Sequence, residues 1–212
     1  MENPWKDIKL SDYENHMKLA SVMQLQAMNQ LMKIQFNSYD VKSAVILGVA
    51  GGNGLEHIDT SKYSVVYGID INNDYLIETE KRYHELKTIL KCLRIDLITD
   101  TEKLPCADLV IANLLIEYIG YDCFKKAILK IDPEYVSCAI QINTDTSFVS
   151  NSPYLHSFDK LEQVHHQIEA SKLVSAMKDI FYQQIFHSEK NLPNGKKLVP
   201  LDFKKSGEAN DF

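Results

Sequence analysis

The residues whose types and spacing suggest chemistry begin at a glycine-rich turn. The segment Ser43-Ala-Val-Ile-Leu-Gly-Val-Ala-Gly-Gly-Asn-Gly-Leu-Glu-His-Ile58 leads an apolar run directly into a cluster of glycines. Glycine allows positive φ and lets a backbone approach a ligand closely, because it has no Cβ. Leu55 and Ile58 predict a helix start after the turn, with unpaired N–H groups and a partial positive charge. This order is typical of sites for nucleotide-like cofactors in open α/β sheets, although a tight turn without a ligand is the alternative.

Polar residues follow at the ends of later apolar runs. Asp70 ends the run 64–70, where a carboxylate can accept two hydroxyl hydrogen bonds or, alternatively, cap the next helix. Asp96 interrupts a third run, and Asn113 ends a fourth. Glu117 and Tyr118 come next, and Glu117 is a candidate general base unless it is an ordinary charge on a helix surface.

These residues must be positioned by alternating strands and helices. The apolar runs predict strands at 44–47, 64–70, 89–95, 107–113 and 135–142. Asn72 or Asn73 is expected to cap the helix after the second strand, and residues 114–131 are expected to form one or two helices interrupted at Gly120. Continuously apolar strands that alternate with helices predict a parallel sheet covered on both faces.

The two ends of the chain depart from this alternation. The patterns Ser11–Glu14 and Ser21–Gln24 resemble capping boxes and predict N-terminal helices over 12–19 and 21–37. Near the C-terminus we expect a polar loop over 144–155, a helical segment over 157–179, and a hairpin that pairs 181–187 with 198–204. Asn194-Gly195 is a strong hairpin-turn signal between those two strands.

Composition narrows the classes of partner. The chain has 212 residues, a net charge of −6 and a pI of about 5.6, which disfavours a nucleic-acid or anionic-membrane surface as the main partner. The N-terminus lacks the layout of a signal peptide, and no apolar run approaches the length of a membrane span. We therefore expect a cytoplasmic protein.

The motifs taken together resemble the class I methyltransferases that use S-adenosylmethionine. The register Gly48-x-Ala50-x-Gly52-x-Gly54 resembles the family's first motif, with Gly48 in place of the usual acid and Ala50 in place of the first glycine. Asp70, Asp96, the strand that ends at Asn113 and the terminal hairpin match later features in the same order. An NAD-dependent oxidoreductase would favour Gly-x-Gly-x-x-Gly, which is absent here.

The resemblance implies a fold and a set of site residues. The expected fold is a Rossmann-like seven-stranded sheet, with five parallel strands, a C-terminal antiparallel hairpin, helices on both faces and an N-terminal helical cap. The cap would span residues 1–40, and the S-adenosylmethionine-binding part would span 41–212. The implied cofactor-binding residues are Gly48, Ala50, Gly52, Asn53, Gly54, Asp70, Ile71, Asp96, Leu97 and Asn113.

The resemblance defines the residues around the methyl acceptor less closely. The candidate catalytic residues are Tyr13, His16, Asn113 and Glu117, with Glu14 and residues 141–145 as further candidates. We expect a small-molecule acceptor, no nucleic acid, no membrane and no metal site, and we expect His165-His166 to be a surface pair. A protein-directed methyltransferase and a non-catalytic binding module of the same fold are the alternatives. Nothing in the sequence indicates the oligomeric state.

Overall fold

The centre of the molecule is a mixed sheet. The computed structural model describes residues 3–143 and 148–207, and within them an eight-stranded sheet forms. Its strands are β1 (Ser43–Leu47), β2 (Val65–Asp70), β3 (Leu90–Arg94), β4 (Leu109–Asn113), β5 (Tyr135–Ile142), β6 (Tyr182–His187), β7 (Lys190–Asn191) and β8 (Lys197–Lys205). The α-helices are α1 (Leu10–Lys18), α2 (Gln24–Asn37), α3 (Asn73–Arg82), α4 (Ile116–Ile131) and α5 (Ala170–Lys178). Short 3-10 segments occupy Pro4–Lys6, Leu55–His57, His84–Leu86, Thr101–Lys103 and Leu155–Gln163.

The strand order confirms the predicted fold class. The strands run β3-β2-β1-β4-β5-β8-β6, with β1 to β5 parallel and β8 antiparallel to both β5 and β6. The predicted hairpin is present, and the two-residue β7, which also pairs with β8, is the strand that the sequence did not predict. Because the first five strands are parallel, the segments that follow β1 to β5 all emerge at one edge of the sheet.

Both faces of the sheet are covered, as the continuously apolar strands predicted. Val45 and Val110 face a core cluster shared with α4 and α5, whereas Ala44 and Ile111 face a second cluster shared with α2 and α3. Alternate side chains of the same strands therefore contribute to two separate cores. None of the helices within the described ranges is long and apolar enough to cross a membrane.

The N-terminal helices exist, but both capping-box predictions are wrong. Helix α1 begins at Leu10, so that Ser11 lies inside its first turn, and α2 begins after Met23, which adopts a left-handed φ of 56°. Neither N-cap residue makes a side-chain hydrogen bond to the helix. Tertiary contacts, described below, fix the start of α1 in place of a local cap. The division of the chain at residue 40 into a cap and a cofactor-binding part stays a prediction.

Two predicted helices are shorter than expected. A single 3-10 turn, Leu55–His57, follows the glycine turn, so no long helix starts there. The segment 157–179 is divided into a 3-10 segment and α5, and the backbone between them leaves the helix so that the N–H of His166 donates to the carbonyl of Glu117 at 2.6 Å. The predicted break in α4 is confirmed, since Gly120 has a φ of 71° and a ψ of 170°.

Candidate active site

A cavity of about 700 Å³ lies at the sheet edge where β1 to β4 end. Its lining includes eight of the predicted site residues, namely Tyr13, Gly48, Ala50, Asp70, Ile71, Asp96, Leu97 and Asn113. The N-terminal segment closes one side of this cavity through Trp5 and Tyr13. We refer to it as the first cavity.

The glycine turn forms the floor of the first cavity. The amide of Gly48 donates to the carbonyl of Ile69 at 2.9 Å, and the Ala50 amide donates to Asp70 Oδ2 at 2.9 Å. The Ala50 carbonyl in turn accepts the hydroxyl of Thr79, a buried residue of α3, at 2.8 Å. Ala50 adopts a positive φ of 48°, so it takes the left-handed backbone conformation that a glycine usually supplies. The turn is thus fixed to both β2 and α3.

Asp70 lies where the turn meets the cavity wall. Its Oδ1 accepts the amide of Asn72 at 2.9 Å, while its Oδ2 accepts that of Ala50. Burial raises the pKa of the Asp70 carboxyl to about 6, against the lowering effect of these amides. The carboxylate is therefore mostly ionised at neutral pH, and each of its oxygens keeps a lone pair for a ligand.

The opposite wall combines an acid with apolar side chains. Asp96 Oδ1 accepts the amide of Ile98 at 3.0 Å, which fixes the orientation of the carboxylate at the end of β3. Ile71 and Leu97 also line the cavity. A flat, apolar group that carries a hydrogen-bond donor matches this wall.

Three predicted cofactor-binding residues do not line the first cavity. A Cβ on Gly52, whose φ is 81°, would lie 2.7 Å from Tyr83 Cε2, and a Cβ on Gly54, whose φ is 96°, would lie 2.5 Å from Met32 Cβ. Asn53 donates to the carbonyl of Leu25 at 2.9 Å. The two glycines therefore allow the turn to pack closely against α2 and α3, and Asn53 lines a neighbouring cavity together with Gly48 and Ala50. Their contact with a cofactor stays a prediction.

Asn113 lines the first cavity, but its amide group is already paired. Its Nδ2 donates to Gln35 Oε1 at 2.8 Å, and Gln35 Nε2 donates to its Oδ1 at 3.0 Å. This reciprocal pair joins the end of β4 to α2. It positions the segment that follows β4 and leaves the amide little capacity for a ligand.

A second cavity adjoins the first and shares the walls formed by Trp5, Tyr13, Leu114 and Tyr118. Its most unusual lining residue is Glu117, which is only 4% exposed. Glu117 Oε1 accepts the amide of Gln141 at 2.6 Å, whereas Oε2 has no hydrogen-bond partner in the described part of the chain. Burial raises the pKa of this carboxyl to about 7.

His16 contributes an imidazole to the same cavity. It is 5% exposed, its Nδ1 lies 2.8 Å from Ser152 Oγ, and its ring packs 5.0 Å from that of Phe158. Burial, and then the charge of Lys196, lower the pKa of His16. The imidazole is therefore neutral at neutral pH.

The remaining candidate site residues of α1 lie on two different sides of the helix. Tyr13 lies between the two cavities, with its ring 5.8 Å from Trp5 and 6.4 Å from Tyr75. Glu14 instead pairs with Arg82 at 2.5 Å over the glycine turn and does not line the second cavity. Tyr13 and His16 therefore share the pocket side of α1, and Glu14 serves the turn.

Similar proteins were found by comparison of structures. No family model and no curated protein matches the sequence. The cyclopropane synthase MmaA2 from Mycobacterium tuberculosis aligns with a TM-score of 0.68 at 9% identity, over 96% of each chain. The N-methyltransferase NodS from Bradyrhizobium japonicum WM9, in complex with S-adenosyl-L-homocysteine, aligns with a TM-score of 0.65 at 11% identity, over 97% of this chain and all of that one.

The chain has the class I methyltransferase fold. The cyclase SpnF shares it as well, with a TM-score of 0.65 at 9% identity over 85% of this chain and 82% of that one. Since an enzyme named as a cyclase has the same architecture, this methyltransferase fold does not by itself determine the reaction.

Sequence reasoning did not identify several residues that line the two cavities at this edge of the sheet. Trp5 and Tyr75 line the first cavity, and the buried Tyr75 hydroxyl has no partner among the residues described. His165, expected at the surface, is half-buried, lines the second cavity and stacks on Phe148 at 4.1 Å. The lone tryptophan next to Pro4 was the one available signal. Of the candidates over 141–145, residues 144 and 145 lie outside the described ranges.

Proposed function

We propose that this protein transfers a methyl group from S-adenosylmethionine to a small-molecule acceptor by in-line displacement. The observation that carries the proposal is a pair of adjoining cavities at the carboxyl edge of the sheet, one lined by Asp70 and Asp96 and the other by Glu117. Two cavities in contact are what a group transfer between two bound molecules requires.

The residues of the first cavity fit S-adenosylmethionine. Asp70 would accept the ribose hydroxyls, and Asp96 would accept the adenine amino group between Ile71 and Leu97. Ala50 keeps the backbone conformation of the missing glycine, which supports a retained cradle despite the departure from the family pattern. NodS, which has the same fold, was solved with S-adenosyl-L-homocysteine.

When bound, S-adenosylmethionine supplies a methyl group on a sulfonium, and the acceptor's lone pair forms the new bond while the carbon–sulfur electrons pass to sulfur. The chain's own residues orient the acceptor, exclude water and remove a proton. Glu117 is the proposed base, since its pKa of about 7 lies near the operating pH that a proton acceptor needs. Tyr13 and His16 would position the acceptor.

The walls of the second cavity support a small acceptor over a protein side chain. Residues of α1 line one part of this cavity, and the rings of Phe148 and Phe158 line another. A protein-directed enzyme would be expected to have an open groove there. The net charge of −6 supports an acceptor other than a nucleic acid or an anionic membrane.

The first test is a calorimetric titration of the protein with S-adenosylhomocysteine, with NAD as the control ligand. We expect binding of the first only, and a more than tenfold weaker affinity in Asp70→Ala, because a charge-assisted pair is lost. Asp40→Ala removes an exposed aspartate as the matched control. If S-adenosylhomocysteine does not bind, the proposal fails. Binding without turnover of any acceptor would favour the non-catalytic module.

A further inference from the structure

We propose that the second cavity binds an amine as the methyl acceptor, held as an ammonium between Glu117 and aromatic rings and deprotonated by Glu117. This inference rests on the proposed function and adds the chemical class of the acceptor. Its basis is the combination of one incompletely bonded carboxylate and aromatic side chains in the lining of the same cavity.

The carboxylate lacks a donor that a ligand can provide. Glu117 Oε1 is occupied by the Gln141 amide, but Oε2 is buried without any hydrogen-bond partner in the residues that the structure describes. An unpaired buried carboxylate oxygen is unfavourable, because it has lost its hydrogen bonds to water without gaining new ones. A ligand N–H⁺ would satisfy this oxygen and neutralise its charge at the same time.

The neighbouring walls are aromatic. Trp5 and Tyr118 meet edge to face with their ring centroids 4.9 Å apart, and Tyr118 meets His165 at 5.9 Å. His165 stacks on Phe148, which extends the aromatic lining. The face of an aromatic ring attracts a cation through the ring's quadrupole, and it offers no such attraction to a neutral hydroxyl or an anion.

The other titratable groups around Glu117 do not compete with a cationic ligand in the cavity. Burial lowers the pKa of His16 and His165 and raises the pKa of the Tyr13 and Tyr118 hydroxyls, so all four are neutral at neutral pH. The charge of the buried Lys196 contributes to the lowered pKa of both histidines, and its Nζ donates to Asn143 Oδ1 at 3.3 Å. It is not part of the cavity lining.

Cys138, packed behind Glu117 on β5, is also neutral, because burial raises its pKa. Among the described lining residues Glu117 is thus the acid, and no lysine or arginine accompanies it. A carboxylate acceptor would face Glu117 without a counter-ion.

The chemistry of an amine matches this arrangement. An ammonium has no lone pair and cannot attack a methyl group. Transfer of its proton to Glu117 breaks one N–H bond, forms one O–H bond and leaves the electron pair on nitrogen. The neutral amine then stands beside a neutral carboxylic acid, with its lone pair free to attack the methyl group.

The test uses the protein saturated with S-adenosylhomocysteine and three probes of matched shape: 2-phenylethylamine, 2-phenylethanol and 3-phenylpropanoate. We expect the amine to bind at least tenfold more tightly than the alcohol, and the carboxylate to bind least. Glu117→Gln should reduce amine affinity at least tenfold while it keeps affinity for S-adenosylhomocysteine. Glu162→Gln, which changes an exposed glutamate of the 155–163 segment, is the matched control.

The outcomes separate the two proposals. Equal or tighter binding of the alcohol or the carboxylate overturns the amine inference, and so does unchanged amine affinity in Glu117→Gln. Glu117→Asp should restore part of the amine affinity if the charge matters, whereas loss of folding in both variants would be visible as lost S-adenosylhomocysteine binding. If the native protein does not bind S-adenosylhomocysteine at all, the proposed function fails and not the inference alone.

Discussion

The two cavities are built in different ways. The first is formed mainly by short segments that directly follow β1, β2, β3 and β4, and hydrogen bonds of the backbone fix its floor. The second is formed by side chains from remote parts of the chain, as the contacts of His16 with Ser152 and of Gln24 with Gln141 show. The first cavity therefore follows from the fold, whereas the second depends on long-range packing. Changes to each should have different consequences.

The largest expected effect is on the glycine turn. Gly52→Val places a branched side chain at a φ of 81° and against Tyr83, Leu55 and Thr79. Strain and overpacking together should cost about 3 kcal/mol or more of unfolding free energy. Urea denaturation measures this cost, with Gly207→Val as the control because a Cβ at Gly207 meets nothing within 4 Å. Loss of S-adenosylhomocysteine binding at unchanged stability would instead place Gly52 at the ligand.

The next effect concerns the second cavity and depends on pH. Because burial raises the pKa of Glu117 from 4.5 to about 7, the folded state holds this proton more tightly than the unfolded state. The stabilising contribution is full below pH 4.5 and is lost as the pH rises through about 7. The native protein should therefore lose about 3 kcal/mol relative to Glu117→Gln over this range.

Denaturation curves of both proteins at several pH values measure this difference, with Glu162→Gln as the control. A stability difference that does not change with pH would show that Glu117 is not buried as an acid. Such a result would also mean that the second cavity does not differ from the first by containing a destabilising charge.

A smaller effect is expected where a side-chain pair covers the backbone-built turn. Arg82 contacts Glu14 and donates to the carbonyl of Gly51 at 3.2 Å, but the arginine side chain is 37% exposed. Arg82→Ala should therefore cost only about 1 kcal/mol, and the cost should shrink at high salt. Thermal unfolding at low and high salt tests this, with Lys81→Ala as the neighbouring control. A cost equal to that of Gly52→Val would mean that the ion pair, not the backbone, holds the turn.

The smallest expected effect is a gain in stability. Ala50→Gly relieves the left-handed strain of an alanine, which outweighs the added backbone entropy of the unfolded chain by about 0.5 kcal/mol. Affinity for S-adenosylhomocysteine should not change. Ala27→Gly inside α2 is the opposite control, with an expected loss of about 1 kcal/mol. If Ala50→Gly is destabilised as much as the control, the methyl group of Ala50 has a packing role.

The same contrast explains which predictions succeeded. The parallel strands, the acid at the end of β2 and the terminal hairpin depend on local pattern and turn chemistry, and the structure confirms these elements. The placement of Asp70 on the first cavity follows from strand polarity alone, because all parallel strands end at one edge.

Sequence reasoning failed where contacts between distant parts of the chain determine the local structure. The starts of α1 and α2 were misplaced because tertiary contacts, not caps, set them. Asn72, for example, donates from Nδ2 to the carbonyls of Trp5 and Ile8 and so fixes the segment before α1. Glycine spacing also does not reveal where a Cβ would point: at Gly52 it would meet Tyr83, and at Gly54 it would meet Met32 of α2. The assignment of these two glycines to the cofactor stays a prediction.

The break at Gly120 has a consequence for how the protein can change over evolution. Because the helix is interrupted there, the Glu117 carbonyl accepts the amide of His166, and Tyr121 Oη hydrogen-bonds the backbone of Glu169. The segment that carries His165 is thus anchored through its main chain, which any residue can supply. Its side chains are free to diversify while its attachment persists. The lining of the second cavity can therefore change, or be redesigned, without disturbing the sheet edge that forms the first cavity.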